Sequence, residues 1–376
     1  MPLAARDWGL DRRGHRPSNA GMKQGIADRI ARLERALAAD FQLLPLHEPG
    51  APLFLAVALP TDEGVTGLKP RLPAGRGLTP QQAMLAAGAE ALELRASLAQ
   101  RHRERLAALP RRDGLAMVPA RDLATAAPVP VLAQAVYLDC AATLGEPLRE
   151  DADSTGCAAG PDRETAEAVA LWECVERDAV ALWWHGNRPA AALALEVVDR
   201  QQPRLYWWLH ERPRRTVLLD LTTDIGLPVV AAVSSDPGGG CVAVGSAARP
   251  LLAEAALAAV TEMVQTEASL EHARTAGDAE AAAWLAQGST RVQPQFGARA
   301  PAALAGAPAV TMPALLDRLA ALGHQALTVE LTLPGDPMPS VRVLVPGLCA
   351  MRGRTDTARF RRLCPGIPPL SLPEPY

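Results

Sequence analysis

The sequence predicts an α+β fold with mixed, mainly antiparallel sheets. Segments with helical periodicity alternate along the 376 residues with short runs rich in Val, Leu and Ala. Turns such as Pro237-Gly238-Gly239-Gly240 join some of the short runs, as in antiparallel pairs. The chain is 49% hydrophobic and 21% charged, which is an ordinary globular composition that allows a sizeable core.

The individual elements follow from the same patterns. Periodicity predicts helices at residues 22–40, 80–101, 163–184, 251–269 and 313–322. Runs rich in β-formers predict strands at residues 53–59, 133–138, 216–221, 229–234, 241–244, 327–331 and 341–345. Residues 109–119 are interpreted as a connection rich in Pro and Arg.

Charge and composition exclude several classes of protein. A formal net charge of −3 argues against a protein that coats nucleic acid, since such proteins usually carry a basic excess. No stretch approaches the roughly 20 uninterrupted apolar residues of a membrane span. The six cysteines form no CxxC pair and are interpreted as free thiols. We therefore predict a cytoplasmic protein that binds neither nucleic acid nor membrane.

An internal repeat carries the candidate chemistry. When Glu90, Glu173 and Glu262 are aligned, each has alanine three and seven residues earlier and an acidic or amide residue three residues later. The aligned positions are Ala83, Ala87 and Glu93; Ala166, Ala170 and Glu176; and Ala255, Ala259 and Gln265. On a helix these offsets share one face, so each helix presents a smooth alanine strip followed by polar side chains.

The repeat predicts a cation site if the three faces converge. Several carboxylates cannot all stay ionised together without cations, because each buried ion costs several kcal/mol unless it is compensated. Oxygen ligands without His or Cys select hard cations, above all Mg²⁺. Since Mg²⁺ held by a few carboxylates usually also binds phosphate oxygens, we expect the three helices to surround a central nucleotide site. The sequence has no GxxxxGK(S/T) loop, so any such site differs from that of a P-loop enzyme.

These residues resemble the YcaO family of peptide-modifying proteins. The resemblance covers roughly residues 70–350 and rests on segments that run in the family's order. They are Gly75–Gly77, Glu90–Glu93, Ser154–Gly160, Glu173–Ala179, Asp220–Pro228, Glu262–Gln265 and Val343–Leu348.

The resemblance implies ATP and Mg²⁺ as cofactors. It implies that the metal ions are held by Glu90, Glu93, Glu173, Glu176 and Glu262. It implies nucleotide contacts from Lys23, Arg76, Ser154, Gly156, Arg177 and Gln265. In the family, a Cys, Ser or Thr side chain attacks a backbone amide, ATP phosphorylates the oxygen, and loss of phosphate gives an azoline. Phosphate is a good leaving group whose charge Mg²⁺ can stabilise.

The C-terminus partly matches the family's cyclising members. Those members often end in Pro-x-Pro-x-Pro, which points the terminal carboxylate into the active site, and this chain ends in Pro373-Glu374-Pro375-Tyr376. The resemblance therefore implies a catalytic role for Pro373, Pro375 and Tyr376. Sequence patterns and the resemblance together divide the chain into a disordered tail (1–20), an N-terminal helix and strand region (21–65), a YcaO-like catalytic domain (66–350) and a Pro-rich C-terminal tail (351–376).

The chain also departs from the family pattern around the nucleotide. The departures are Ala86 for serine, Pro161 for asparagine, Thr165 for an acidic residue, Ala258 and Glu267 for arginines, and Arg76 for lysine. The expected metal ligands are thus intact, whereas part of the nucleotide shell has changed.

The leading hypothesis is an ATP- and Mg²⁺-dependent cyclodehydratase that forms azolines in a ribosomally made precursor peptide. Its expected partners are that peptide and a leader-peptide-binding protein, and a homodimer is left open. One alternative is a thioamide-forming protein with a sulfur-delivering partner. Another is a non-catalytic nucleotide-binding scaffold, which the departures would suit. The pairs Trp183-Trp184 and Trp207-Trp208 could line a peptide-binding wall, although core positions are the commoner place for tryptophan.

Overall fold

The structure is a computed structural model. It describes residues 19–46, 50–61, 72–299, 308–350 and 357–366, with the side chains of residues 19–24 left out. The helices are α1 (Asn19–Leu37), α2 (Pro80–Ser97), α3 (Arg103–Ala107), α4 (Cys140–Leu144), α5 (Arg163–Trp184), α6 (Glu196–Asp199), α7 (Pro203–Glu211), α8 (Leu252–Ala276), α9 (Ala279–Gln287), α10 (Met312–Ala321) and α11 (Ala358–Leu363).

The strands alternate with these helices along the chain. They are β1 (Phe41–Leu46), β2 (Phe54–Pro60), β3 (Ala74–Gly77), β4 (Arg111–Arg112), β5 (Leu115–Asp122), β6 (Pro128–Leu132), β7 (Cys157–Ala159), β8 (Ala191–Leu193), β9 (Arg215–Asp220), β10 (Val229–Ser235), β11 (Ala243–Ala248), β12 (Leu327–Glu330) and β13 (Ser340–Leu344).

The described strands form three sheets. Their orders are β1-β2-β3, β11-β10-β9-β8 and β4-β5-β12-β13-β7, and β6 pairs with β5 in the last. The pairs between these strands are all antiparallel, which confirms the predicted fold class. Helix α2 packs on β2 and β3, α5 on β13, and α8 on β10 and β11. The repeated helices therefore connect the three sheets.

The alanine strips are where strand backbones approach the helices. A Cβ on Gly75 of β3 would lie 2.1 Å from the carbonyl oxygen of Ala83 on α2. A Cβ on Gly245 of β11 would lie 2.3 Å from the carbonyl oxygen of Ala259 on α8. Because only glycine facing alanine allows such an approach, the small residues of the repeat serve close packing, and the polar side chains lie beyond it.

Side chains fix where two of the repeated helices begin. The hydroxyl of Thr79 accepts a hydrogen bond from the N–H of Gln82, and Pro80 occupies the first position of α2. The carboxylate of Asp162 accepts one from the N–H of Thr165 at the start of α5. Helix α5 has the boundaries that periodicity predicts.

Some predicted elements are wrong. The strand expected at residues 133–138 is a 3-10 helix at Ala133–Ala135, because the N–H groups of Val136 and Tyr137 donate back to the carbonyl of Ala133. The connection expected at 109–119 contains β4 and most of β5. The strand expected at 241–244 starts only at Ala243, since Cys241 has a positive φ of 48° that does not fit a strand.

Helix α11 lies inside the range interpreted as the Pro-rich tail. Its Arg359 is buried and donates to Asp178 of α5, from Nε to Oδ1 at 2.8 Å and from Nη2 to Oδ2 at 2.8 Å. A further hydrogen bond runs from Nη2 to Oδ1 of Asp224 at 2.6 Å. Asp178, Asp224 and Arg359 are called the aspartate clamp below.

None of the helices in the described ranges combines the length and the apolar character needed to cross a membrane.

Candidate active site

Five glutamates from the three repeated helices lie around one site. Each is an electrostatic neighbour of at least two others: Glu90 of Glu93, Glu173 and Glu262, Glu93 of Glu173, and Glu176 of Glu173 and Glu262. We call Glu90, Glu93, Glu173, Glu176 and Glu262 the glutamate ring. The convergence of the three helix faces, on which the cation-site hypothesis depended, is thus present in the structure.

Arg76 of β3 closes one side of the glutamate ring. Its Nη2 lies 2.8 Å from Oε2 of Glu262, and its Nη1 donates to Oε1 of Gln265 at 3.0 Å. Its Nε donates to the hydroxyl of Thr261 at 3.3 Å. Because Gly75 lets β3 lie against α2, this arginine reaches across to α8.

Glu176 is the most enclosed member of the glutamate ring. Its Oε1 accepts a hydrogen bond from the hydroxyl of Ser246 at 2.7 Å, and its Oε2 accepts one from the N–H of Ala248 at 3.2 Å. Burial raises its pKa to about 7, with Glu262 and Glu173 adding to the effect, while Arg177 and Ser246 oppose it.

Arg177 faces two carboxylates of its own helix. Its Nη2 lies 3.3 Å from Oε1 of Glu173, and its Nη1 lies 4.0 Å from Oε1 of Glu176. Burial disfavours its charge, but Glu176, Glu173 and Glu262 together raise its pKa.

A tight loop before β7 holds Glu173. The N–H of Gly156 donates to Oε2 of Glu173 at 3.1 Å. Gly156 has φ of +78°, and a Cβ there would lie 2.1 Å from the carbonyl oxygen of Val343, so only glycine fits. Ser154 lies in the same loop with an exposed side chain, and its carbonyl accepts from the N–H of Cys157 at 3.0 Å. Burial raises the pKa of Glu173, and Arg177 and Gly156 oppose this.

Glu90 and Glu93 form the α2 side of the glutamate ring. Desolvation by the surrounding protein raises the pKa of Glu90 to about 7, against a hydrogen bond of 3.2 Å from the N–H of Ala74. The Glu90 side chain is nevertheless exposed, so its carboxylate is open to a ligand. Glu93 is partly buried, and desolvation together with Glu173 and Glu90 raises its pKa well above the usual range.

The donor set fits Mg²⁺, although the glutamates do not form a closed metal cage. Within the described part of the chain, no group of three or more His, Cys, Asp or Glu side chains is arranged to hold a metal ion. The ring members are electrostatic neighbours of one another and offer only oxygen. Burial raises the pKa of Glu90, Glu93, Glu173 and Glu176, and repulsion by other ring members adds to this rise for Glu90, Glu93 and Glu176. Mg²⁺ commonly takes one or two carboxylates together with phosphate oxygens and water, so neighbouring carboxylates of this kind suit it.

The structure does not describe the side chains of four predicted site residues. Pro373, Pro375 and Tyr376 lie outside the described residues, and Lys23 lies in α1 without a described side chain. Their roles stay predictions.

The two tryptophan pairs differ in burial. Trp183 and Trp184 are 1% exposed and belong to the core, so they cannot line a peptide-binding wall. Trp207 is 59% exposed. Its neighbour Trp208 is partly buried, and the guanidinium carbon of Arg212 lies 4.4 Å from the centre of the Trp208 ring.

The acidic departure Glu267 is matched by arginines from another segment. Its Oε2 lies 2.7 Å from Nη1 of Arg212, and its Oε1 lies 3.3 Å from Nε of Arg214. The position where the family has arginine is therefore still in contact with arginine side chains, supplied by the segment between α7 and β9.

Two further arginines lie near the glutamate ring, and no sequence pattern predicts them there. Arg249 follows β11 and is an electrostatic neighbour of Glu176 and Glu262. Arg342 of β13 is 4% exposed, lowers the pKa of Glu93, and donates from Nη1 to the carbonyl of Asp153 at 2.6 Å. Neither stands in a repeat, so only the fold reveals them.

Comparison with known families decides the relationship. A family model described as YcaO cyclodehydratase, ATP- and Mg²⁺-binding, matches residues 97–349. The chain belongs to the YcaO family. This confirms the predicted family and the expected cofactors ATP and Mg²⁺, and the description of the family model names the predicted cyclodehydratase activity. A search of curated proteins found no sequence match.

Solved structures share the YcaO fold. A heterocyclase in complex with substrate and cofactor is 21% identical with a TM-score of 0.75, over 94% of this chain and 57% of that one. YcaO from Methanopyrus kandleri bound with AMPPCP and Mg²⁺ is 22% identical with a TM-score of 0.65, over 94% and 95%. The E. coli microcin synthetase McbBCD complex is 13% identical with a TM-score of 0.59, over 83% and 87%. The chain thus spans little more than half the length of the heterocyclase.

Proposed function

We propose that this YcaO protein uses ATP and Mg²⁺ to activate backbone amides of a ribosomally made precursor peptide, forming azolines from Cys, Ser or Thr. The observation that carries the proposal is the glutamate ring, in which five carboxylates from three helices adjoin each other. Only Arg76 and Arg177 form ion pairs with it among the described residues. When its carboxyl groups are ionised, the ring therefore carries more negative charge than these two arginines balance, and divalent cations would neutralise the rest.

The chain's own residues divide the work. Glu90, Glu93, Glu173, Glu176 and Glu262 would bind the metal ions, and Gly156 and Ser246 hold two of these carboxylates in place. Arg76 and Arg177 would orient phosphate oxygens, since guanidinium groups match phosphate geometry. When bound, ATP supplies a phosphoryl group that turns the amide oxygen into a leaving group, and Mg²⁺ supplies charge stabilisation.

Two solved structures support the proposed substrate and partner. Structures with the same fold include a heterocyclase with bound substrate and a multi-subunit microcin synthetase. We propose a precursor peptide as the substrate here and a separate leader-peptide-binding protein as the partner.

Mass spectrometry of the peptide tests the proposal. The protein is incubated with ATP, Mg²⁺, the precursor peptide encoded beside it and the partner. Loss of one water per modified residue supports azoline formation. Exchange of one oxygen for sulfur, seen when a sulfur-delivering partner is added, supports the thioamide alternative. An unchanged peptide mass together with tight Mg²⁺-dependent ATP binding would favour a non-catalytic scaffold and contradict the proposal.

A further inference from the structure

The end of strand β11 is tied to the glutamate ring. The hydroxyl of Ser246 and the N–H of Ala248 both donate to Glu176, at 2.7 and 3.2 Å. The next residue, Arg249, donates its own N–H to the carbonyl of Pro228 at 3.0 Å, and Pro250 follows it. The backbone therefore fixes the Cα of Arg249 beside the most enclosed glutamate of the site.

The side chain of Arg249 is not committed to a carboxylate. Arg76 and Arg177 each form an ion pair with the glutamate ring, whereas no described carboxylate forms one with Arg249. Its Nη1 donates to the carbonyl of its neighbour Ala248 at 2.6 Å, and its guanidinium lies 5.8 Å from the ring centre of Trp172. A guanidinium held on an aromatic ring keeps donors available for an anion.

Helix α8 does not supply such a cation. The positions one and two turns before Glu262 on the same face are Ala258 and Ala255. Arg249 reaches the same region from the strand side, and its electrostatic neighbours are Glu176, Arg76, Glu262 and Glu254. Burial lowers its pKa, and a bound anion would compensate that burial.

We propose that Arg249 binds an outer phosphate of the nucleotide, the β- or γ-phosphate, and so takes the role for which helix α8 has only alanine. The inference rests on the proposed function, because it assumes that nucleotide phosphates enter the glutamate ring. It assigns the three arginines different tasks. Arg76 and Arg177 would orient phosphate oxygens while they stay paired with ring carboxylates, whereas Arg249, which has no ion pair with a described carboxylate, can give its donors to the outer phosphate.

Equilibrium binding of ATP and AMP in the presence of Mg²⁺ tests the assignment. Arg249→Gln is expected to weaken ATP binding about 10- to 100-fold, the value of a lost charged hydrogen bond, and AMP binding by less than about twofold. Arg215→Gln removes an exposed arginine of β9 and serves as the matched control, with unchanged affinities. Equal losses for ATP and AMP, or an unchanged ATP affinity, would overturn the assignment.

Two further measurements keep the result interpretable. If Arg249→Gln does not fold, Arg249→Lys keeps the charge and loses the planar fork; it is expected to weaken ATP binding several-fold more than AMP binding, and equal effects count against the assignment. If the wild-type protein itself does not bind ATP, the proposed function fails. If the wild type binds ATP and Arg249→Gln binds it equally well, only the Arg249 assignment fails.

Discussion

Helix α5 contributes to two charged clusters, one in which arginines match the carboxylates and one in which the carboxylates outnumber the arginines. Glu173 and Glu176 belong to the glutamate ring, and two residues later Asp178 belongs to the aspartate clamp. In the clamp, Arg359 donates hydrogen bonds to both aspartates, and Asp178 is fully buried. Burial alone would raise the pKa of Asp224, but hydrogen bonds from Arg359 and Arg362 lower it.

The balance between arginines and carboxylates separates the two clusters. In the clamp the carboxylates are matched by guanidinium groups, and the charges are satisfied within the protein. In the glutamate ring the carboxylates outnumber their paired arginines, and desolvation raises the pKa of Glu90 and Glu176 to about 7. Removing one partner from a cluster whose charges are paired would destabilise the fold. A cluster with unpaired carboxylates can instead bind cations.

Removing one ring carboxylate should have the largest effect. Glu176→Ala is expected to abolish Mg²⁺-dependent ATP binding while the protein stays folded, because it removes a ring carboxylate that Ser246 and Ala248 hold in place. Glu104→Ala, which removes an exposed carboxylate of α3, should leave ATP affinity unchanged. Titration calorimetry with ATP and Mg²⁺ measures both. Unchanged affinity in Glu176→Ala would mean that the ring is not the metal site.

Removing the clamp arginine should affect stability instead. Arg359→Gln is expected to lower the free energy of unfolding by about 3–5 kcal/mol, because Asp178 would remain buried without its charge partner. Arg362→Gln removes a half-exposed partner of Asp224 and should cost less than about 1 kcal/mol. Urea unfolding compares the two variants. Similar losses in both would show that burial does not distinguish these arginines.

The raised pKa of Glu176 predicts a pH dependence of stability. The folded protein holds a proton on this carboxyl up to about pH 7, whereas the unfolded chain releases it near 4.5. The stabilisation from this proton is therefore complete below pH 4.5 and is lost as the pH rises through 7. Without Mg²⁺, the stability difference between wild type and Glu176→Gln should fall by up to about 3 kcal/mol between pH 5 and pH 8. If urea unfolding gives the same difference in free energy of unfolding between the two proteins at pH 5 and at pH 8, the raised pKa of Glu176 is refuted.

A smaller effect concerns the loop that holds Glu173. Gly156→Ala must place a methyl group against the carbonyl of Val343, whereas Gly114 has a similar φ of +83° with nothing within 4 Å. Both variants should lose roughly 1 kcal/mol for the backbone conformation, and Gly156→Ala should lose about 1–3 kcal/mol more. Gly156→Ala should also weaken ATP binding, because relieving this clash displaces the backbone N–H that donates to Glu173. Equal stability of the two variants would show that the loop can shift.

The sequence was informative where a pattern repeats. Helical periodicity located α2, α5 and α8, and the spacing of Glu90, Glu173 and Glu262 identified the side chains that meet in the site. The alanine positions of the repeat proved to be the places where strand glycines pack against helices α2 and α8.

Other features depend on contacts distant in sequence. Arg249 and Arg342 stand alone in the chain and reach the site only because β11 and β13 lie beside α5. The two strands around Arg111–Asp122 were missed because Pro and Arg obscure their alternation. The helix of Arg359 was hidden in a Pro-rich segment, and its role became visible only through Asp178 of α5.

Proton release on nucleotide binding tests the account most directly. Calorimetry in buffers of different ionisation enthalpy can count the protons released when a non-hydrolysable ATP analogue and Mg²⁺ bind, with Glu176→Gln as the reference. At about pH 6.5 the wild type should release more protons than the variant, and the excess should fall towards zero by about pH 8.5, because metal binding requires ionised carboxylates. Equal proton release by wild type and variant at both pH values, with equal affinities, would contradict a cation site in the glutamate ring.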